Sequence, residues 1–391
     1  MCWPRIGLQH RRFETCDSSF PQQTSRVECC ASGRRARGAM SAKCAGLHSP
    51  DALRGEWRPS ESHASAASVS RLRQHIANIG HGALSWMGRC DGVSDATVGN
   101  VAIKHPREGP DRTLWTWSGH PTVAALNESA LCDALRVLKS RSGATRGLLF
   151  VGDSLTEQHF HTLAGLTSGA RFCDGDDMHF KRNDFLTTAE QRMGANGTSG
   201  ECAPFGDQKQ NRCSDWASHS VLHKSAVIVL SQGAHFIDDE AQFVRQMERV
   251  VAAVQANARP GALVVYRDSV PGVSDCDVRR FDAPLATIEQ AEALVKARGF
   301  YDGPHFKRRN EVAARVFDAA GFVRLHAYLP TVMRQDSRLG YRASRSSGQL
   351  GLDCIHFCVP GPTTLWADML ARRVVQAAAC GYGSSSRTGK L

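Results

Sequence analysis

None of the fourteen cysteines forms a Cys-x-x-Cys pair, which argues against a zinc ribbon and against a thioredoxin-like redox motif. No run approaches the roughly 18 apolar residues needed to cross a bilayer. No apolar signal core of about 7–15 residues is visible near the start either. Zinc-finger spacing is missing, as is any basic stripe interleaved with aromatics. The excess of 48 Lys and Arg over 38 Asp and Glu, a net charge of +10, therefore fits acidic glycans or a solvated basic surface better than nucleic acid. No internal repeat appears, which sets solenoids and propellers aside.

What is present suffices for a sizeable core. At 391 residues and 42% hydrophobic, it can bury one large core or two modest ones. Five cysteines crowd the first fifty residues (Cys2, Cys16, Cys29, Cys30 and Cys44), and nine more lie between Cys90 and Cys380. Two sequons, Asn127-Glu128-Ser129 and Asn196-Gly197-Thr198, join the cysteines in pointing to an oxidising lumen. Reduced thiols with chance sequons are the alternative. Residues 1–75, rich in Arg, Ser and Cys, are expected to be disordered or a targeting segment, or else an over-extended start with Met40 as the true one. Residues 76–145 are expected to be a loop-rich N-terminal part of the main folded unit, 146–380 its principal domain and 381–391 a flexible tail.

The periodicity predicts alternating strands and helices. LLFV (148–151), SAVIVLS (225–231), ALVVYRD (262–268) and VRLHAYL (323–329) read as strands, the first three through continuous apolar runs. Helices are predicted over 73–87, 129–141, 155–166, 238–258, 289–298, 310–320 and 363–379. In the 238–258 helix, Phe243, Met247, Val250, Val251 and Val254 fall on one face. Residues 88–122 read as irregular, and 169–223, with Cys173, Cys202 and Cys213, as a long insertion that disulfides could staple. The expected fold class is α/β with a central parallel sheet, whose ligands bind at the carboxyl ends of the strands.

Ser154 falls just past one such end, in VGDSLTEQH (151–159). Gly-Asp-Ser at a strand-to-helix turn is a helix cap in any α/β protein. It becomes a nucleophile only with a base, a group that orients the base, and oxyanion donors. Residues 350–362, LGLDCIHFCVPGP, supply a candidate pair in Asp353 and His356. In a tight turn or a first helical turn, positions three apart share a side. The carboxylate could then bond one imidazole nitrogen and leave the other for a serine. Cys354 and Cys358 fence this segment, and a disulfide from either would pin it. Trp115 and Trp117 are candidates for stacking on sugar rings, with Trp216 as a further one, whereas Trp366 is expected in the core beside Met369 and Leu370.

An early Gly-Asp-Ser with a late Asp-x-x-His resembles the layout of the SGNH/GDSL hydrolase superfamily. Within it the chain resembles the plant trichome birefringence-like, or PC-esterase, family, whose members O-acetylate cell-wall polysaccharides. DCIHFCVPGPTTLWADML (353–370) follows the family's Asp-Cys-Ser-His-Trp-Cys-Leu-Pro-Gly and its Trp-containing helix. VGDSL matches the start of its Val-Gly-Asp-Ser-Leu-Ser-Arg-Asn-Gln motif, and Glu157 stands where the family has Arg. SQGAHF (231–236) keeps the Gly of a third motif as Gly233 with the His shifted to His235, VYRDS (265–269) carries an Arg as Arg267, and TLWTW (113–117) followed by Cys132 resembles the approach to the nucleophile strand. The resemblance covers about residues 88–380. It implies a three-layer α/β/α fold and an O-acetyltransferase working through an acetyl-serine. Ser154 would be the nucleophile, His356 the base and Asp353 its orienter, with Gly233 and Arg267 helping to hold the oxyanion. No metal or organic cofactor is implied. The partners would be a polysaccharide acceptor and an acetyl donor, in the Golgi or secretory lumen. An acetyl esterase on the same fold and a non-catalytic glycan-binding protein are the competing expectations.

Overall fold

Strands of a parallel sheet are buried on both faces and so read as unbroken apolar runs; three such runs in this chain lie side by side at its centre. The computed structural model describes residues 47, 55–59, 66–79, 96–98, 101–103, 115–118, 126–173, 175, 178–188, 214–232, 239–274, 276, 281, 283–300, 303–343, 350–359 and 361–383. In chain order its main elements begin with β1 (Trp57–Pro59), α1 (Ala66–Ile79), β2 (Trp115–Trp117), α2 (Glu128–Ser142), β3 (Arg146–Gly152) and α3 (Ser154–Leu166). Next come β4 (Met178–Arg182), β5 (Ser225–Leu230), α4 (Glu240–Asn257), β6 (Leu263–Arg267) and α5 (Ile288–Arg298). The last are α6 (Phe306–Ala319), β7 (Val323–Leu325), β8 (Arg338–Ala343), β9 (Leu350–Phe357) and α7 (Pro362–Cys380).

Five strands form one sheet in the order β7-β6-β5-β3-β4, every neighbouring pair parallel. Because side chains alternate along a strand, each run feeds two cores. Leu148, Phe150, Val227, Val229, Leu263 and Val265 pack with Leu131, Leu135 and Leu138 of α2, Leu163 of α3 and Leu370 and Val374 of α7. Leu149, Val151, Ile228, Leu230, Val264 and Tyr266 pack with Phe243, Met247, Val250 and Val254 of α4 and Val312 and Phe317 of α6. Helices thus cover both faces. Each such buried side chain is worth roughly 1.5–3 kcal/mol. Val251, expected on the inner face of α4, is only partly buried at its margin.

The structure corrects several expectations. The stretch after α3 is not wholly an insertion, since MHFKR pairs with β3 as the edge strand β4. Cys173 bonds Cys132 of α2, while Cys202 and Cys213 lie outside the described residues. In VRLHAYL only the first three residues are strand, and Tyr328–Val332 is helical. The N-terminal helix lies earlier than predicted, at 66–79. Leu47, Trp57, Leu72 and Ile76 bury in the first core, so packing begins ahead of residue 76. Among the described residues no helix is long and apolar enough to cross a membrane.

Candidate active site

The chain leaves β3 for β4 on one side, then crosses back to β5 on the other. This reversal makes the carboxyl end of β3 a topological switch point, where open α/β sheets leave a crevice. Ser154 sits at that point as the first residue of α3. Asp153 caps the helix: its Oδ1 accepts from the backbone N–H of Leu155 at 3.1 Å and of Thr156 at 3.2 Å. The N–H of Ser154 lies outside these two bonds, at the positive end of the helix dipole. The turn needs glycine at 152, where a Cβ would fall on Thr156 Oγ1 and on the carbonyl oxygen of Ser231.

Asp353 and His356 come from β9, which is not the tight or helical turn expected from their spacing. In an even strand, residues three apart point to opposite faces. Here Gly340 pairs with Asp353 and Arg338 with Phe357, so Cys354, Ile355 and His356 stand opposite Leu339 alone. This bulge re-aims the imidazole, as bulges beside functional sites do. His356 Nδ1 lies 2.8 and 2.9 Å from the two Asp353 carboxylate oxygens, and its Nε2 lies 2.7 Å from Ser154 Oγ. Ser154, Asp353 and His356 are each 8% exposed, enough to be reached but largely withdrawn from water.

Two further groups brace the site: sequence reasoning missed Gln158, whereas a disulfide from Cys354 was expected and its partner is Cys276. Gln158, one turn beyond Ser154 on α3, donates from Nε2 to the Phe357 carbonyl at 2.8 Å and accepts at Oε1 from the Phe357 N–H at 3.2 Å. It thereby completes the backbone of the residue next to His356. The Cys276–Cys354 disulfide holds the bulge from the other side. Gln158 lies within the quoted Gly-Asp-Ser motif, but nothing in its spacing indicates a partner 199 residues away.

Glu157 occupies the position where the resembled family has Arg, and the structure brings an arginine to it. Arg182, at the end of β4, lies 3.1 Å from Glu157 and also binds Asp184. Burial raises the Glu157 pKa, while Arg182 and His356 pull it back.

The remaining candidates fall elsewhere. Arg267 is wholly buried beneath the turn and donates to Ser231 Oγ at 2.8 Å. Its guanidinium lies 4.2 Å from the Trp366 ring centre. Burial pulls its pKa down to about 10, against the charges of Asp153, Tyr266 and Asp268. Gly233 and His235 lie outside the described residues. Trp117 is 2% exposed, packed on Trp57 across the β1–β2 pair, so the expected loop tryptophan is a core residue with no ring face to offer. Trp115 is partly buried against the same core. Trp216 is also core, its Nε1 donating to the Thr187 carbonyl at 2.9 Å, and Trp366 is buried as expected. Among the described residues no group of three or more His, Cys, Asp or Glu could hold a metal ion. Comparison of the sequence with models of known protein families and with curated proteins returns no match.

Proposed function

We propose that the chain is an O-acetyltransferase of SGNH type that moves an acetyl group to a hydroxyl of a cell-wall-type polysaccharide. One observation carries the reading: Asp353, His356 and Ser154 stand in a hydrogen-bonded line, 2.8 Å and 2.7 Å, at the switch point of a parallel sheet. The motif resemblance around 151–159 and 353–370 supplies the acetyl and polysaccharide chemistry.

In this mechanism His356 Nε2 takes the Ser154 proton as Oγ attacks the acetyl carbonyl. Asp353 holds the Nδ1 tautomer and steadies the imidazolium. The oxyanion lies against the Ser154 N–H at the start of α3, with the backbone of Gly233 as the expected second donor. The Arg267 guanidinium, buried below the turn, favours negative charge there without touching the substrate. His356 then protonates the departing donor, leaving acetyl-Ser154. A sugar hydroxyl gives its proton to His356 and attacks the acetyl group, and that proton returns to Ser154 Oγ. The disulfides suit the secretory lumen implied by the resemblance.

The test is a partition experiment. The protein is loaded with 4-nitrophenyl acetate, acetyl-Ser154 is located by peptide mass spectrometry, and the adduct is chased with water or with xylan and mannan oligosaccharides. Faster loss with a glycan, together with acetylated glycan, is the expected result. Equal decay in water alone would make the protein an esterase. No acetyl on Ser154 would remove the triad and favour a binding protein, and full activity in His356→Ala would take His356 out of the mechanism.

A further inference from the structure

The bulge in β9 takes backbone groups off the ladder, and buried peptide groups must find other partners. Asp353 Oδ1 accepts from the N–H of Ile355 at 3.3 Å and of His356 at 3.1 Å. The Ile355 carbonyl is met by Arg338, whose Nη1 donates to it at 2.6 Å. Arg338 is wholly buried. Its Nη2 donates to the Pro271 carbonyl at 2.7 Å and its Nε to Gln335 Oε1 at 3.1 Å. Its guanidinium carbon lies 4.1 Å from the centre of the Phe357 ring. One side chain thus joins β8, the residue before His356, the residue after it and the 271 segment. Burial pulls the Arg338 pKa down to about 9, and the charges that oppose this are Asp353 and then Asp336. Asp336 is itself held by Arg334 at 2.9 and 3.0 Å.

We infer that Arg338 is a positioning residue for the base: it holds the bulge that aims His356 at Ser154. The inference rests on the triad reading above.

The experiment follows phosphorylation of Ser154 in the full chain by diethyl 4-nitrophenyl phosphate. The Ser154 Oγ–P bond forms as the P–O bond to 4-nitrophenolate breaks, and His356 takes the serine proton. The second-order rate is measured against pH for wild type, Arg338→Met and Arg338→Lys, with the site checked by peptide mass. Arg338→Met is expected to be about 10²-fold slower at the plateau, because the base is misplaced. Arg338→Lys keeps the charge but not the planar fork. It should recover part of the loss and stay about tenfold below wild type in plateau rate. A wild-type rate in Arg338→Met would overturn the inference. If that variant does not fold, a wild-type plateau rate in Arg338→Lys overturns it equally. Wild-type protein that takes no label at Ser154 would overturn the triad reading, and this inference with it.

Discussion

Ser154 reaches its place by local means, and His356 by remote ones. The serine follows from a strand, a glycine with no room for a Cβ, an aspartate cap and the first turn of a helix, all between 146 and 166. The histidine sits on an interrupted strand that is shaped by Arg338 of β8, Gln158 of α3 and Cys276. A regular element places a side chain through its own backbone ladder. An irregular one has lost part of that ladder and borrows side chains to replace it, which makes its aim dependent on distant residues.

The largest expected effect treats the halves alike. Ser154→Ala and Asp353→Asn should each lower kcat by about 10⁴-fold while both proteins fold. The disulfides then separate the halves. In the chain-entropy account, removing either Cys132–Cys173 or Cys276–Cys354, which span 41 and 78 residues, costs about 4 kcal/mol in thermal or urea unfolding. Only Cys276→Ser with Cys354→Ser should also lower kcat, because only that pair touches the bulge; an equal loss from the other pair would end the distinction.

Acid should weaken the serine half through α3. Burial lowers the His159 pKa well below its ordinary value, with Arg267 adding to the effect; burial and then His75 lower His161 from 6.5 to about 4. Between those two values the unfolded chain binds protons that the folded chain refuses, so stability rises with pH there. As pH falls from 6.5 to 4 it is lost, by about 2–3 kcal/mol for His161 alone. Urea midpoints at pH 7 and pH 4.5 should show the loss, and His161→Phe should flatten it. The smallest effect tests the join. Gln158→Leu leaves the Phe357 N–H and carbonyl without their side-chain partner, and should reduce kcat by about tenfold with KM little changed.

The same contrast explains what could be read in advance. β3, β5 and β6 carry their own signal in apolar runs, and α4 in its spacing. The Gly-Asp-Ser turn is a short-range pattern, so the place of Ser154 at a strand-to-helix turn was legible. Asp353 and His356 were legible as a pair, but the bulge that unites them was not, because it depends on register against β8. Arg338 carries no local signal at all; an isolated arginine gains meaning only once Phe357 is its strand partner. MHFKR hid an edge strand because edge positions tolerate charge that central ones exclude. The tryptophans of TLWTW misled for a related reason: Trp117 stands among polar neighbours in sequence but packs on Trp57 in space.

The distance of 202 residues between His356 and Ser154 also sets an order in time. At synthesis rates of about 5–20 residues per second, Ser154 emerges roughly 10–40 s before His356. Throughout that interval the nascent chain carries Ser154 without the imidazole that it meets in the folded protein. The Asp353–His356–Ser154 line can close only once the last hairpin has been made.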